Sequence, residues 1–379
     1  MISLRCARLF DGDTMHDGPR TVVLDSGRIV GFDDAAVDVV DLGDVTLMPG
    51  LVDAHTHLVF EPGSDILADM ASTPRDVLLE RMRRHAAEAL RAGITTLRDL
   101  GDREYLAVEL RDSACGLLPE ILAAGPPITI PGGHCWFLGG EVPADRDALV
   151  DAVAERVSRG VDVVKIMATG GGITPGSAAH ESQYDFSQLS ALVEAAHSAG
   201  LPVTAHAHGG AGVRDAVRAG VDGVEHATFL DGAGGAAPDW DVIAEIISRG
   251  TYVGVTAGRL LTGPPTPPHV LAARAFLARM HREGARIVCS SDAGIIKYKP
   301  HYCLPHGLTE FQGFADISAA AVLNSVTRLA AESCGVGSRK GRIAPGYDAD
   351  LLAVSGDPAQ DLAALRDVAA VYRAGSLVC

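Results

Sequence analysis

The sequence predicts an α/β protein: a (β/α)₈ TIM barrel carrying a small composite β-sandwich domain assembled from both chain ends. Three observations carry that expectation. Eight short apolar runs recur between residues 51 and 294, and amphipathic helical stretches separate most of them. Polar, chemistry-bearing residues fall at the C-terminal ends of those runs, where a barrel opens its mouth. The first fifty and last forty residues lack the alternation and read as short strands and turns.

The elements follow in order. LRCARLFDG, RTVVLDSGRIVGF and DVTLMPG cluster β-formers around Asp-Gly and Ser-Gly turns. The eight strand candidates are LVDAHTH (51–57), ITTLRDL (94–100), EILAAGPPI (120–128), VDVVKIMA (161–168), LPVTAHA (201–207), GVEHA (223–227), TYVGVTA (251–257) and RIVCSSDAG (286–294). Between them PRDVLLERMRRHAAEALRAG, ADRDALVDAVAERVSRG and FSQLSALVEAAHSAG are amphipathic and stop at a glycine, a common helix terminator. A doubly wound open sheet is the rival; the count of eight and the polar strand ends favour the barrel. The Pro-rich GPPTPPH (263–269) reads as a loop after the seventh strand, and GRIAPGYDADLLAVSG with VAAVYRAGSLVC returns to strands. The expected division is 1–50 and 339–379 for the β domain and 51–338 for the barrel.

Composition narrows the function classes. A chain of 379 residues has ample length for a core without disulfide staples, and its formal charge of −16 argues against nucleic acid as a partner. No apolar run is long enough to span a membrane and no signal-peptide pattern opens the chain, so no membrane partner is expected. Seven scattered cysteines, never spaced CxxC, point to a reducing cytoplasm. The cations are nearly all arginine; the lysines are Lys165, Lys297, Lys299 and Lys340. Lys165 lies within an apolar strand, whereas the other three read as compositional background.

The strand ends carry the chemistry. His55 and His57 share one strand face at period two. The fourth strand carries Lys165, the fifth His206 with His208 beyond it, the sixth His226, and the eighth ends at Asp292. Each has an ordinary reading alone, as a satisfied polar residue or a turn cap. One candidate at nearly every appropriate strand end is explained economically by a divalent metal site, because imidazole and carboxylate suit Zn²⁺ and related ions.

PGLVDAHTHL, VKIMATGGG, TAHAHG, VEHATF and SSDAG resemble the amidohydrolase superfamily of metal-dependent hydrolases, in its imidazolonepropionase-like and Xaa-Pro dipeptidase (prolidase)-like branch. The terminal segments resemble that superfamily's composite β domain. The resemblance implies two divalent metal ions, with Zn²⁺ the expected metal. It places His55, His57 and Asp292 on one, His206 and His226 on the other, and Lys165 as an N-carboxylated bridge. An ammonium beside two dications would be repelled, whereas a carbamate is anionic and offers two oxygens. Without that modification the same residues could hold one metal, as in deaminase-type members; the stretch after the fifth strand, HAHGGAGVRD, lacks the glutamate those enzymes place there.

Asp292 is the expected proton acceptor, and the resemblance implies Lys165 as bridge and His134 of PGGHCWF as a contact to the scissile group or a carboxylate. Trp136, Tyr184, His208 and Arg259 are further substrate candidates, and Tyr298, His301, Tyr302 and His306 form a polar cluster on the last loop. Cys135 and Cys289 carry no Cys-His signature and read as small buried residues. The leading expectation is hydrolysis of an amide C–N bond in a dipeptide, N-acyl amino acid or short peptide. Alternatives are opening of a cyclic amide or imidazolone, ester or lactone hydrolysis, peptide trimming in bottromycin-type natural-product maturation, and an inactive scaffold. A homo-oligomer is compatible with all of them.

Overall fold

The computed structural model describes residues 1–33, 39–113, 117–266 and 268–379; Cys115, and Pro267 of the Pro-rich stretch, lie outside them. Five strands open the chain: β1 (Ile2–Phe10), β2 (Met15–Asp25), β3 (Arg28–Phe32), β4 (Val39–Asp41) and β5 (Val45–Pro49). Eight follow with helices between them: β6 (Leu51–Thr56), β7 (Ile94–Asp99), β8 (Glu120–Ala123), β9 (Val164–Met167), β10 (Val203–Gly209), β11 (Gly223–Leu230), β12 (Tyr252–Thr256) and β13 (Arg286–Ser290). Three close it: β14 (Leu351–Ser355), β15 (Val368–Arg373) and β16 (Ser376–Leu377).

The two chain ends do join. They build one eight-stranded sheet in the order β16-β15-β14-β5-β1-β2-β3, with β4 pairing β1. The junction is antiparallel, Leu351 opposite Pro49 and Ser355 opposite Val45. The sheet curls: the β2–β3 turn reaches the C-terminal strands through Ala349 N–H to Gly27 O and Ile29 N–H to Tyr347 O, both 2.8 Å. Leu4, Val22 and Ile29 therefore share one apolar cluster with Leu351, Ala353 and Tyr372.

The eight central strands are parallel and buried, as near-continuous apolar runs require. They form two ladders, β6-β7-β8 and β13-β12-β11-β10-β9. At one seam Asp292 N–H meets His55 O at 2.7 Å and His57 N–H meets Ala293 O at 3.2 Å. At the other, Ile128 N–H meets Lys165 O and Met167 N–H meets Ile128 O, both at 2.8 Å. Both seams lie at the strands' C-terminal ends, where the ladder becomes irregular because those residues serve the site.

The three predicted long helices form over Arg75–Arg91, Arg146–Arg159 and Phe186–Ser198. Asp145 caps the second by accepting from the N–H groups of Asp147 and Ala148, and Asp185 with Gln188 closes a capping box on the third. Two of the four lysines correct the compositional reading. Lys299 and Lys340 are buried, at 7% and 2% exposure. Lys340 joins Glu120 at the start of β8, at 3.1 Å, to Asp348 and Asp350 beside β14, so an ion cluster fastens the terminal sheet to the central strands. Among the described residues the six cysteines are free thiols, and no helix is long and apolar enough to cross a membrane.

Candidate metal centre

The residues from the ends of β6, β9, β10, β11 and β13 meet at one cavity of about 440 Å³. His55, His57, Lys165, His206, His226 and Asp292 all line it, as do His134, His208 and Arg259. Two expected contacts do not. Tyr184 is 2% exposed and packs in the main apolar core, because its place just before helix Phe186–Ser198 turns it inward. Trp136 sits on a short 3₁₀ turn, 40% exposed and edge-on to Phe137, away from the cavity wall. The last-loop cluster also stays off that wall: His301 lies behind β6, its Nε2 donating to His57 O at 3.0 Å and its ring stacked on His85.

Two imidazoles are aimed by acceptors at their backs. His55 Nδ1 donates to Glu225 Oε2 at 2.9 Å, and His57 Nδ1 donates to Gly101 O at 3.1 Å. Both Nε2 lone pairs are thereby directed at one atom, Asp292 Oδ1, at 3.5 and 3.4 Å. Those separations exceed an ordinary N–H···O bond. They match ligands sharing one ion, since donors ~2.05 Å from tetrahedral Zn²⁺ stand roughly 3.3 Å apart. His226 joins His55 and Asp292 in one potential ligand set and His206 with His208 in another, all within 4.8 Å. His208, expected only as a substrate contact, thus stands among the ligand candidates, with its ring stacked on His226 at 4.6 Å.

The electrostatics prepare most of these groups to bind a cation; at His57 the lowering by burial is outweighed by Asp292, which raises its pKa. Burial, reinforced by neighbouring imidazoles, pushes His206 and His226 well below the ordinary histidine range, and burial brings His208 to about 4. Neutral imidazole is the ligating form. Burial alone would raise Asp292, but His55, His57 and Lys299 hold its carboxyl well below the usual range. Lys165 is 1% exposed, its Nζ has no hydrogen-bond partner among the described residues, and burial lowers it to about 8. A buried amine without a partner is costly unless something else engages it.

Backbone strain shapes the same place. His226 (φ 74°) and Asp292 (φ 55°) adopt left-handed conformations that non-glycine residues avoid. A regular strand would turn Glu225 and His226 to opposite faces. The left-handed kink lets both serve the cavity end, Glu225 behind His55 and His226 in the ligand set.

Sequence reasoning missed the residues behind the ligands. Glu225 also receives Thr204 Oγ1 at 2.8 Å and Arg98 Nη2 at 3.2 Å. Asp53 accepts from Ser291 N–H at 2.9 Å, and Asp99 accepts from Leu58 and Gly101 N–H at 2.8 and 3.0 Å, bracing both ligand-bearing loops. Lys299 donates to Thr256 O at 2.9 Å and Ser291 O at 2.6 Å. The lysine scarcity that singled out Lys165 was the signal that could have found Lys299.

Parallel strands with helical crossovers, ending in a histidine- and aspartate-lined cavity, define a metal-dependent hydrolase. The chain belongs to the amidohydrolase family, whose model matches residues 46–378, and it acts as a hydrolase of amide carbon–nitrogen bonds. It is similar to the ochratoxinase of Aspergillus niger, 24% identical over 376 residues that cover 87% of this chain and 75% of the relative. A solved Xaa-Pro dipeptidase with bound methionine in its active site is 27% identical, with a TM-score of 0.82 and 99% of each chain covered. A solved prolidase described as putative, from Bifidobacterium longum, is 28% identical, with a TM-score of 0.81, covering all of this chain and 94% of that one.

Proposed function

We propose that the protein hydrolyses the amide C–N bond of a dipeptide, an N-acyl amino acid or a short peptide at a two-metal centre. The observation that carries this reading is the convergence of His55 Nε2 and His57 Nε2 on Asp292 Oδ1 beside the unpartnered amine of Lys165. His55, His57 and Asp292 would hold one ion, and His206 and His226 the other. Lys165 would bridge them as a carbamate: its neutral amine forms an N–C bond with CO₂ and releases one proton. Burial favours that neutral amine. The ligand set suits Zn²⁺. Bound ions would lower the pKa of a shared water toward ~7 and polarise the scissile carbonyl.

The chain's own groups do the rest. Asp292, ionised, accepts the proton of the attacking water and returns it to the leaving amine. His134 is oriented for the carbonyl oxygen. Thr174 Oγ1 accepts from Cys135 N–H at 2.9 Å and stands 3.0 Å from His134 Nδ1; with its hydroxyl proton directed at Nδ1, His134 keeps Nε2–H to donate. Gly171 makes room for that ring, since a Cβ there would lie 2.3 Å from Nε2.

The two parallel ladders are read as arcs of one closed (β/α)₈ barrel spanning 51–338, and the curled terminal sheet, 1–50 with 339–379, as its β-sandwich. Five free, buried thiols among the described residues agree with a cytoplasmic setting. Relatives that cleave dipeptides support the substrate class. The test is Asp292→Asn in the metal-loaded enzyme against a dipeptide and N-acyl amino acid library. A folded variant without measurable turnover is expected; wild-type kcat would refute the role.

A further inference from the structure

The loop that follows β13 carries Asp292, walls the cavity with Ile295, Ile296 and Lys299, and returns to the end of β6 at His301. It is tied to that end at three points. Asp292 N–H donates to His55 O at 2.7 Å, and His57 N–H donates to Ala293 O at 3.2 Å. His301 Nε2–H donates to His57 O at 3.0 Å. One loop thus pins His57 through both its N–H and its carbonyl. The third tie comes from a side chain that is 1% exposed.

The tautomer follows from the partners. His301 Nδ1 has no hydrogen-bond partner among the described residues, whereas Nε2 faces a carbonyl, so the ring hydrogen belongs on Nε2. His85, from helix Arg75–Arg91, stacks on this ring at 3.9 Å and 15°. It donates its own Nδ1–H to Leu58 O at 2.8 Å. Two nearly parallel imidazoles therefore grip consecutive carbonyls of the ligand-bearing turn, whose Leu58 N–H is taken by Asp99 Oδ2 at 2.8 Å. Gly294 clears the approach: its φ is +98°, and a Cβ there would lie 2.8 Å from His57 O.

Satisfying the carbonyl does not require this histidine, because His57 O also accepts from Phe60 N–H at 3.2 Å. Burying an imidazole with one bare nitrogen is costly, and an apolar side chain would fill the space at less cost. What the imidazole adds is direction. A side chain carries every shift of its own backbone, and a ligand constellation tolerates displacements of only about 0.5 Å.

We infer, resting on the two-metal reading, that His301 is a positioning residue for the metal centre. Backed by His85, it locks the His57 carbonyl and so fixes where His57 Nε2 stands relative to Asp292. The test withdraws zinc from the metal-loaded protein with graded chelator in the wild type, His301→Phe and His301→Gln. Phenylalanine keeps a ring against His85 and loses the donor; glutamine carries an N–H to nearly the place of Nε2. His301→Phe should hold one ion about tenfold more weakly, as loss of a hydrogen bond behind a ligand warrants, and leave the other unchanged. His301→Gln should recover most of that loss. The same comparison in a His57→Ala background separates positioning from general loosening. There His301→Phe should change affinity by less than about twofold, because the residue it positions is gone. Wild-type affinity in His301→Phe would overturn the proposal, and so would a tenfold loss that persists without His57 or that glutamine does not reduce. A wild type that holds no ion would instead sink the metal centre itself, and the positioning role with it.

Discussion

Replacing Glu225 with glutamine tests whether the ligand geometry is held from behind. The carboxylate is 2% exposed and meets three donors: His55 Nδ1 at 2.9 Å, Thr204 Oγ1 at 2.8 Å and Arg98 Nη2 at 3.2 Å. Burial alone would raise its pKa, yet His55, Arg98 and Lys165 together hold it well below the usual range, so it is an anion. Glutamine keeps the shape but offers one oxygen and one NH₂. If the oxygen faces Arg98 and Thr204, the NH₂ confronts the His55 N–H, and one buried donor loses its acceptor. Breaking a buried ion pair by removing one partner costs about 3–5 kcal/mol. Loss of the carboxylate behind a ligating histidine lowers metal affinity roughly 10- to 100-fold. Urea melts of the metal-free protein and metal titrations with a competing chelator read the two effects separately. Gly254→Ala probes the same atom from outside: its backbone is not left-handed, but a Cβ there would stand 2.0 Å from Glu225 Oε2. It should lower metal affinity in the same direction. Wild-type stability and metal affinity in Glu225→Gln would refute the reasoning.

Two further outcomes follow from buried charges. Lys165→Met should raise the melting temperature of the metal-free protein, because it removes a buried amine with no partner, while abolishing activity and releasing one of two ions; a lower metal-free melting temperature would show that the amine is engaged. Glu120, which burial would raise, is held at about 2 rather than 4.5 by Arg339 and Lys340. A depressed carboxylate stabilises the fold above its unfolded pKa. That shift contributes about 3 kcal/mol, fully present above pH ~4.5 and lost as the pH falls toward ~2. Acid unfolding followed by tryptophan fluorescence should show a shallower pH dependence in Glu120→Gln over that window.

Legibility in the sequence followed how local each signal was. Strand positions were readable because buried parallel strands are continuous apolar runs; six of the eight formed within the predicted stretch, and β10 and β11 started there but ran on to Gly209 and Leu230. His55 and His57 were readable because a two-residue spacing puts both on one face. Tyr184 and Trp136 were not, since the direction of a loop side chain depends on the packing around it. Glu225 sat beside His226 in plain view, but regular alternation assigns them to opposite faces. Only the left-handed backbone at His226, which no pattern of apolar residues encodes, brings both to the site. Asp53, Asp99 and Arg98 act across strands distant in sequence, on backbone groups and carboxylates whose needs appear only after folding.

The central claim is a two-metal centre bridged by Lys165, and metal content tests it most directly. Protein purified without chelators and analysed by plasma emission spectrometry should carry about two divalent ions per chain, falling to about one in Lys165→Met. One ion per chain in the wild type, unchanged by that substitution, would contradict the bridge.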